Sequence, residues 1–144
     1  MKIKFKIFVF LLFCSQIVFA EGRKVEFGKP AVSYSGKYVL DLMQGNDGHS
    51  DHFRIQIFSI GDHDMRTLVF TSPDRFEARH RLVVIWDQED WVWLYSGDIG
   101  ICYWKKMETD QWERHIVREG DKVANMPEEI RKLLPKESVS SEAR

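Results

Sequence analysis

Two neighbouring segments, residues 82–86 (Leu-Val-Val-Ile-Trp) and 91–95 (Trp-Val-Trp-Leu-Tyr), are apolar at every position, with only Asp87-Gln88-Glu89-Asp90 between them. Runs this short and this rich in β-branched and aromatic residues read as strands. Successive side chains on a strand point to opposite faces, so a strand that is apolar throughout needs cover on both sides. The pair is therefore central in its sheet. A lone sheet with one wet face is excluded; a sandwich, or a barrel with extra packing, satisfies the requirement.

The rest of the chain supplies the neighbours. Strand-like runs fall at residues 37–43, 52–60, 66–71, 81–86, 91–96, 99–105 and 111–117, with a possible short strand at 24–27 and turn residues between. Within 52–60, Phe53, Ile55 and Ile57 alternate with Arg54 and Gln56, which marks one buried and one wet face. The expectation is an all-β fold: an antiparallel meander of about seven strands, sandwich-like, with a closed barrel as the alternative, plus one short C-terminal helix. Ser72-Pro73-Asp74 predicts a capped helical turn running to Arg79. The helix is expected over 127–134: Pro127, Glu128 and Glu129 open it, Arg131 and Lys132 lie in its last turn, and Pro135 stops it. Ile130, Leu133 and Leu134 would pack on the sheet. Residues 135–144 read as a disordered tail.

Residues 1–20 are built differently. Lys2, Lys4 and Lys6 precede an apolar run, and Val18 and Ala20 stand at the −3 and −1 positions of a cut before Glu21, which is the plan of a secretory signal. An uncleaved anchor would want about 20 unbroken apolar residues. A lipoprotein signal ending at Cys14 would want a small residue where Phe13 stands. The expected mature domain, 21–134 with its tail, is exported to the periplasm or beyond, with no membrane span once the signal is cut. It keeps 18 basic against 22 acidic residues, a formal charge of −4. That charge disfavours nucleic acid, whose binding rests on a basic surface. Cys102 remains as the sole thiol, so no internal disulfide forms.

The most specific local pattern is Ser96-Gly97-Asp98-Ile99-Gly100-Ile101-Cys102-Tyr103-Trp104. It resembles the Asp-box hairpin of sialidase-type propellers, with Ser96, Asp98, Gly100 and Tyr103 on the motif positions and the family's Trp displaced by one residue to Trp104. The resemblance implies a folding device, in which Asp and Ser bond the turn and Gly takes a backbone conformation that other residues avoid. It implies no catalytic residue.

Chemistry-bearing side chains gather in loops. His49, Asp51 and His52 offer a divalent-metal set, with Asp62, His63 and Asp64 at the far end of the strand between the two loops, roughly 25 Å away at strand rise. No cofactor is called for, since turn formation also explains these residues. The carboxylates of 87–90 are expected to be solvated, with little to separate their pKa values. Trp91, Trp93 and Tyr95 share one strand face and, with Trp104 and Trp112, are candidates for binding a glycan or an envelope protein; core packing is their other use. The sequence thus points to an exported, non-catalytic binding, inhibitory or accessory module of the cell envelope. The alternative is a small envelope hydrolase or metal-dependent enzyme using the His/Asp loops.

Overall fold

The computed structural model describes residues 22–45, 52–78 and 81–134. In chain order the strands are β1 (Arg23–Val25), β2 (Ala31–Val32), β3 (Tyr38–Gln44), β4 (His52–Ile60), β5 (Arg66–Thr71), β6 (Phe76–Glu77), β7 (Leu82–Trp86), β8 (Val92–Ser96), β9 (Gly100–Lys106) and β10 (Trp112–Val117), followed by helix α1 (Glu128–Arg131). They form two antiparallel sheets, one ordered β1-β7-β8-β9-β10 and the other β2-β3-β4-β5, with β6 also paired to β4. Neither sheet closes on itself. The all-β expectation holds, in its sandwich form, and the helix is shorter than expected.

The central pair is β7 and β8, and each has cover on both faces as its composition demands. Val84, Trp86, Val92, Leu94, Cys102, Trp104 and Trp112 face the second sheet, where Leu40, Leu42, Phe53, Ile55, Ile57 and Phe76 complete the larger core. The alternate residues Ile85, Trp93 and Ile101 look the other way. Met126 and Ile130 from the C-terminal segment close over them, flanked by Trp91, Tyr95, Tyr103, Val117 and Val123. The layers are thus sheet, sheet and C-terminal segment. Each large side chain so buried contributes about 1.5–3 kcal/mol.

Hairpin chemistry follows residue type. Asp90 and Asp110 both take positive φ, 60° and 63°, one or two positions before a Trp that re-enters the sheet. Aspartate tolerates this region better than most residues because its short carboxylate bonds locally. Gly100, at φ 87°, sits where β9 leaves its turn and pairs with Ser96, whose hydroxyl contacts the Asp98 carboxylate.

Among the described residues, which take in 73–78 but not Arg79, the expected helical turn after Ser72 is absent. Ser72 instead continues the pairing with β4: its N–H donates to the Ile55 carbonyl at 2.8 Å, its Oγ accepts from the Ile55 N–H at 3.0 Å, and its hydroxyl donates to the Asp74 carbonyl at 3.0 Å. After a bend at residues 73–75 the chain rejoins β4, with Phe76 opposite Phe53. The reason is Phe76. Its ring is fully buried, 5.5 Å from Phe53 and 5.8 Å from Trp104, and one capped turn cannot match the burial of a phenyl ring.

Candidate functional site

On the outer face of the β8-β9-β10 sheet the register aligns Trp93, Tyr103 and His115 in one row. Trp91, which leads into β8, joins them. Its ring lies parallel to Tyr103, with centroids 5.1 Å apart and planes 9° apart, and Tyr103 stacks in turn on His115 at 4.9 Å and 13°. Trp93 packs at 4.7 Å from Tyr103 and fixes the slab from below. Trp91, Tyr103 and His115 are half-buried, whereas Trp93 is fully buried.

Polar groups rim this slab. Lys105 Nζ stands 5.7 Å from the Trp91 ring centre, and Lys105 pairs across the ladder with Glu113. His115 Nε2 is buried without a hydrogen-bond partner and lies 3.9 Å from Glu113 Oε2. A groove of about 640 Å³ runs from Trp91 around the β9–β10 hairpin, past Lys105, Lys106, Met107, Gln111 and Glu113. Lys106 is tied to Asp110 at 2.7 Å and to the Tyr38 hydroxyl at 3.0 Å. The bond to Asp110 is the main cause that raises the Lys106 pKa and lowers that of Asp110. Lys106 therefore holds the hairpin in place.

The structure separates the expected binding aromatics. Trp104 belongs to the core between the sheets and Trp93 lies beneath the C-terminal segment, so these two cannot offer a face to a ligand; Trp112 belongs to the same core as Trp104, at 9% exposure, and also lines the groove. Tyr95 is half-buried against the same segment. Of the five, Trp91 and Trp112 line the groove, and Trp91 is the more exposed. Its partners Tyr103, His115, Lys105 and Glu113 were not legible as partners, because nothing within one strand reveals which residues stand opposite on the next.

The metal set is not assembled among the described residues. His52 Nε2 lies 3.6 Å from Glu77 Oε1; His49 and Asp51 lie outside the described residues, as do residues 1–20 and 135–144. Among the described residues no three His, Cys, Asp or Glu side chains converge. Ser96 is directed to Asp98 rather than to a histidine, His63 is exposed, and His115 packs on Tyr103. Cys102 is fully buried, and burial pushes its thiol up to about 11 despite the nearby Arg114 guanidinium. It serves packing rather than attack.

Asp87 corrects the expectation of a solvated loop. Only 7% exposed, it accepts the Glu89 and Trp91 N–H groups on Oδ1, each at 2.9 Å, and the Trp93 indole N–H on Oδ2 at 2.7 Å. It anchors both the hairpin and the slab. Burial raises its pKa, outweighing the lowering by these three donors. Between the ordinary value of about 3.9 and the raised one, the folded chain keeps a proton that the unfolded chain releases, so this contribution to stability is greatest below that window and is lost as pH rises through it. In Asp87→Asn the amide Nδ2 would oppose the indole donor, and the variant should be less stable by about 1–3 kcal/mol. The gap between wild type and Asp87→Asn, from urea unfolding, should narrow as pH rises above about 4. A gap that widens instead would mean the donors outweigh burial.

No helix among the described residues is long and apolar enough to cross a membrane. Compared with known proteins, the chain matches no family model, no curated protein and no solved structure.

Proposed function

We propose that this protein is an exported, non-catalytic binding module of the cell envelope and that its ligand seat is the groove beside Trp91. One observation carries the reading: the half-exposed Trp91 ring lies flat on Tyr103 at 5.1 Å and opens onto a groove edged by Lys105 and Glu113. A rigid aromatic plane with a few polar groups at its edge is the usual make-up of a site for a flat or ring-shaped ligand. A glycan suits it best, since a sugar ring has an apolar face to lie on the indole and hydroxyls to reach the lysine and the carboxylates. Export follows from the basic, apolar and small-residue plan of residues 1–20.

Tryptophan fluorescence of the mature chain, titrated with soluble envelope glycan fragments, tests this. Binding should be saturable and should weaken at least about tenfold in Trp91→Ala, a loss of roughly 1.4 kcal/mol, when measured well below that variant's own thermal midpoint. Unweakened binding in Trp91→Ala would remove the groove as the seat. No binding to any glycan fragment would remove the ligand class.

A further inference from the structure

Gly22 joins the start of the fold to its end. Its N–H donates to Glu129 Oε1 at 2.9 Å, across 107 positions of sequence. No side chain fits at residue 22, since a Cβ there would collide with Ile85 Cγ2 and stand 3.3 Å from the Trp86 carbonyl oxygen. The backbone is thereby held against β7. The other carboxylate oxygen, Glu129 Oε2, is buried and has no hydrogen-bond partner. A buried acceptor without a donor costs about 1–3 kcal/mol, and native structures rarely leave one so.

The surroundings specify the kind of partner. Beside Gly22 is a cavity of about 350 Å³ whose lining includes Asp87, Glu89, Glu128 and Arg131. Of the charged groups facing it, Asp87 and Glu89 come from the β7–β8 hairpin, and Glu128 and Arg131 come from α1 beside Glu129. Asp87 is committed to its three donors, and Arg131 to Glu128 at 3.5 Å and to the Met126 carbonyl at 3.2 Å. The local charge is negative, and the unmet need is a cationic donor next to the Gly22 nitrogen.

We propose that Glu129 Oε2 receives the α-ammonium group created when the chain is cut after Ala20. The inference rests on the export reading for the position of the cut. In a chain that begins at Glu21, covalent geometry keeps the α-nitrogen within about 4 Å of the Gly22 nitrogen, already on the carboxylate. An uncut chain has a neutral peptide nitrogen at that position. Processing thus supplies the counter-charge that fastens α1, and with it the cover over Trp93.

The test compares a chain beginning at Glu21, released by protease from a fusion, with the same chain acetylated at its α-amine, each also as Glu129→Gln. Acetylation should lower the thermal midpoint by about 3–6 °C in the wild-type background and by less than about 1 °C in Glu129→Gln. No loss, or equal losses in both backgrounds, would overturn the proposal. Should Glu129→Gln fail to fold, NMR titration of the wild-type α-amine decides: a pKa above the ordinary range of about 7.7–8.0 supports the pairing, and one within or below it overturns it. Intact mass of the exported protein keeps the two readings apart. A first residue other than Glu21 overturns both the cut and the docking, whereas Glu21 without an acetylation effect overturns the docking alone.

Discussion

Trp93→Ala should lower the unfolding free energy by about 4–8 kcal/mol, a large share of what holds the domain together. The ring is fully buried under Met126 and Ile130, stacks with Trp91, packs at a tilt on Tyr103, and donates its indole N–H to Asp87. Truncating a buried Trp costs about 3–5 kcal/mol, and orphaning a buried acceptor adds about 1–3. A domain of this size has about 5–15 kcal/mol in all. Trp93→Phe helps to separate the two causes, because it keeps an aromatic ring against Tyr103 while losing the indole donor and only part of the ring volume. It should cost about 1–3 kcal/mol in urea unfolding. A midpoint for Trp93→Ala close to wild type would mean that the C-terminal cover contributes little to the fold.

Trp86→Ala should be as damaging in the other core. This ring lies between the sheets, 6.4 Å from Tyr38 and 6.1 Å from Trp112, and its indole N–H donates to the Ala31 carbonyl on β2 at 3.0 Å. It ties the first sheet to the second. Loss of about 3–5 kcal/mol is expected from the cavity, with a further contribution from the released carbonyl. Amide exchange should show where the opening starts, with protection lost first along β2 and β3. If protection falls first in β9 and β10, the hydrogen bond to β2 is not what holds the sheets together.

The two tryptophans mark how far local reading reaches. Unbroken apolar runs rich in β-branched and aromatic residues placed Trp86 and Trp93 on strands and showed both strands to be central, and β7 and β8 are central. What it could not say is that Trp86 faces the second sheet and Trp93 the C-terminal segment. Similarly, Ser72-Pro73-Asp74 has every local mark of a helix start, yet Phe76 four residues on is worth more in the core than in a solvated turn. Asp87 reads as one of four loop carboxylates, but the fold folds the hairpin back so that its oxygens meet two backbone donors and an indole. At the candidate site, Trp91 was legible on its strand; Tyr103, His115, Lys105 and Glu113 became its neighbours only through the register of β8 with β9 and of β9 with β10.

The sequence by itself determined the longer strands though not the two-residue β2 and β6, which two need cover on both sides, where the C-terminal helix begins, and that Cys102 is the one thiol beyond the signal-like segment. These are local matters, set by the two-residue period of a strand and by the caps and breakers of a helix. Tertiary structure decided which layer each face meets, that Trp91 and Trp112 rather than Trp104 border a groove, and that Glu129 reaches Gly22. Those outcomes depend on residues far apart in the chain. Burial and hydrogen-bond pairing are settled by what stands opposite, and a strand's own sequence says only which way its side chains point.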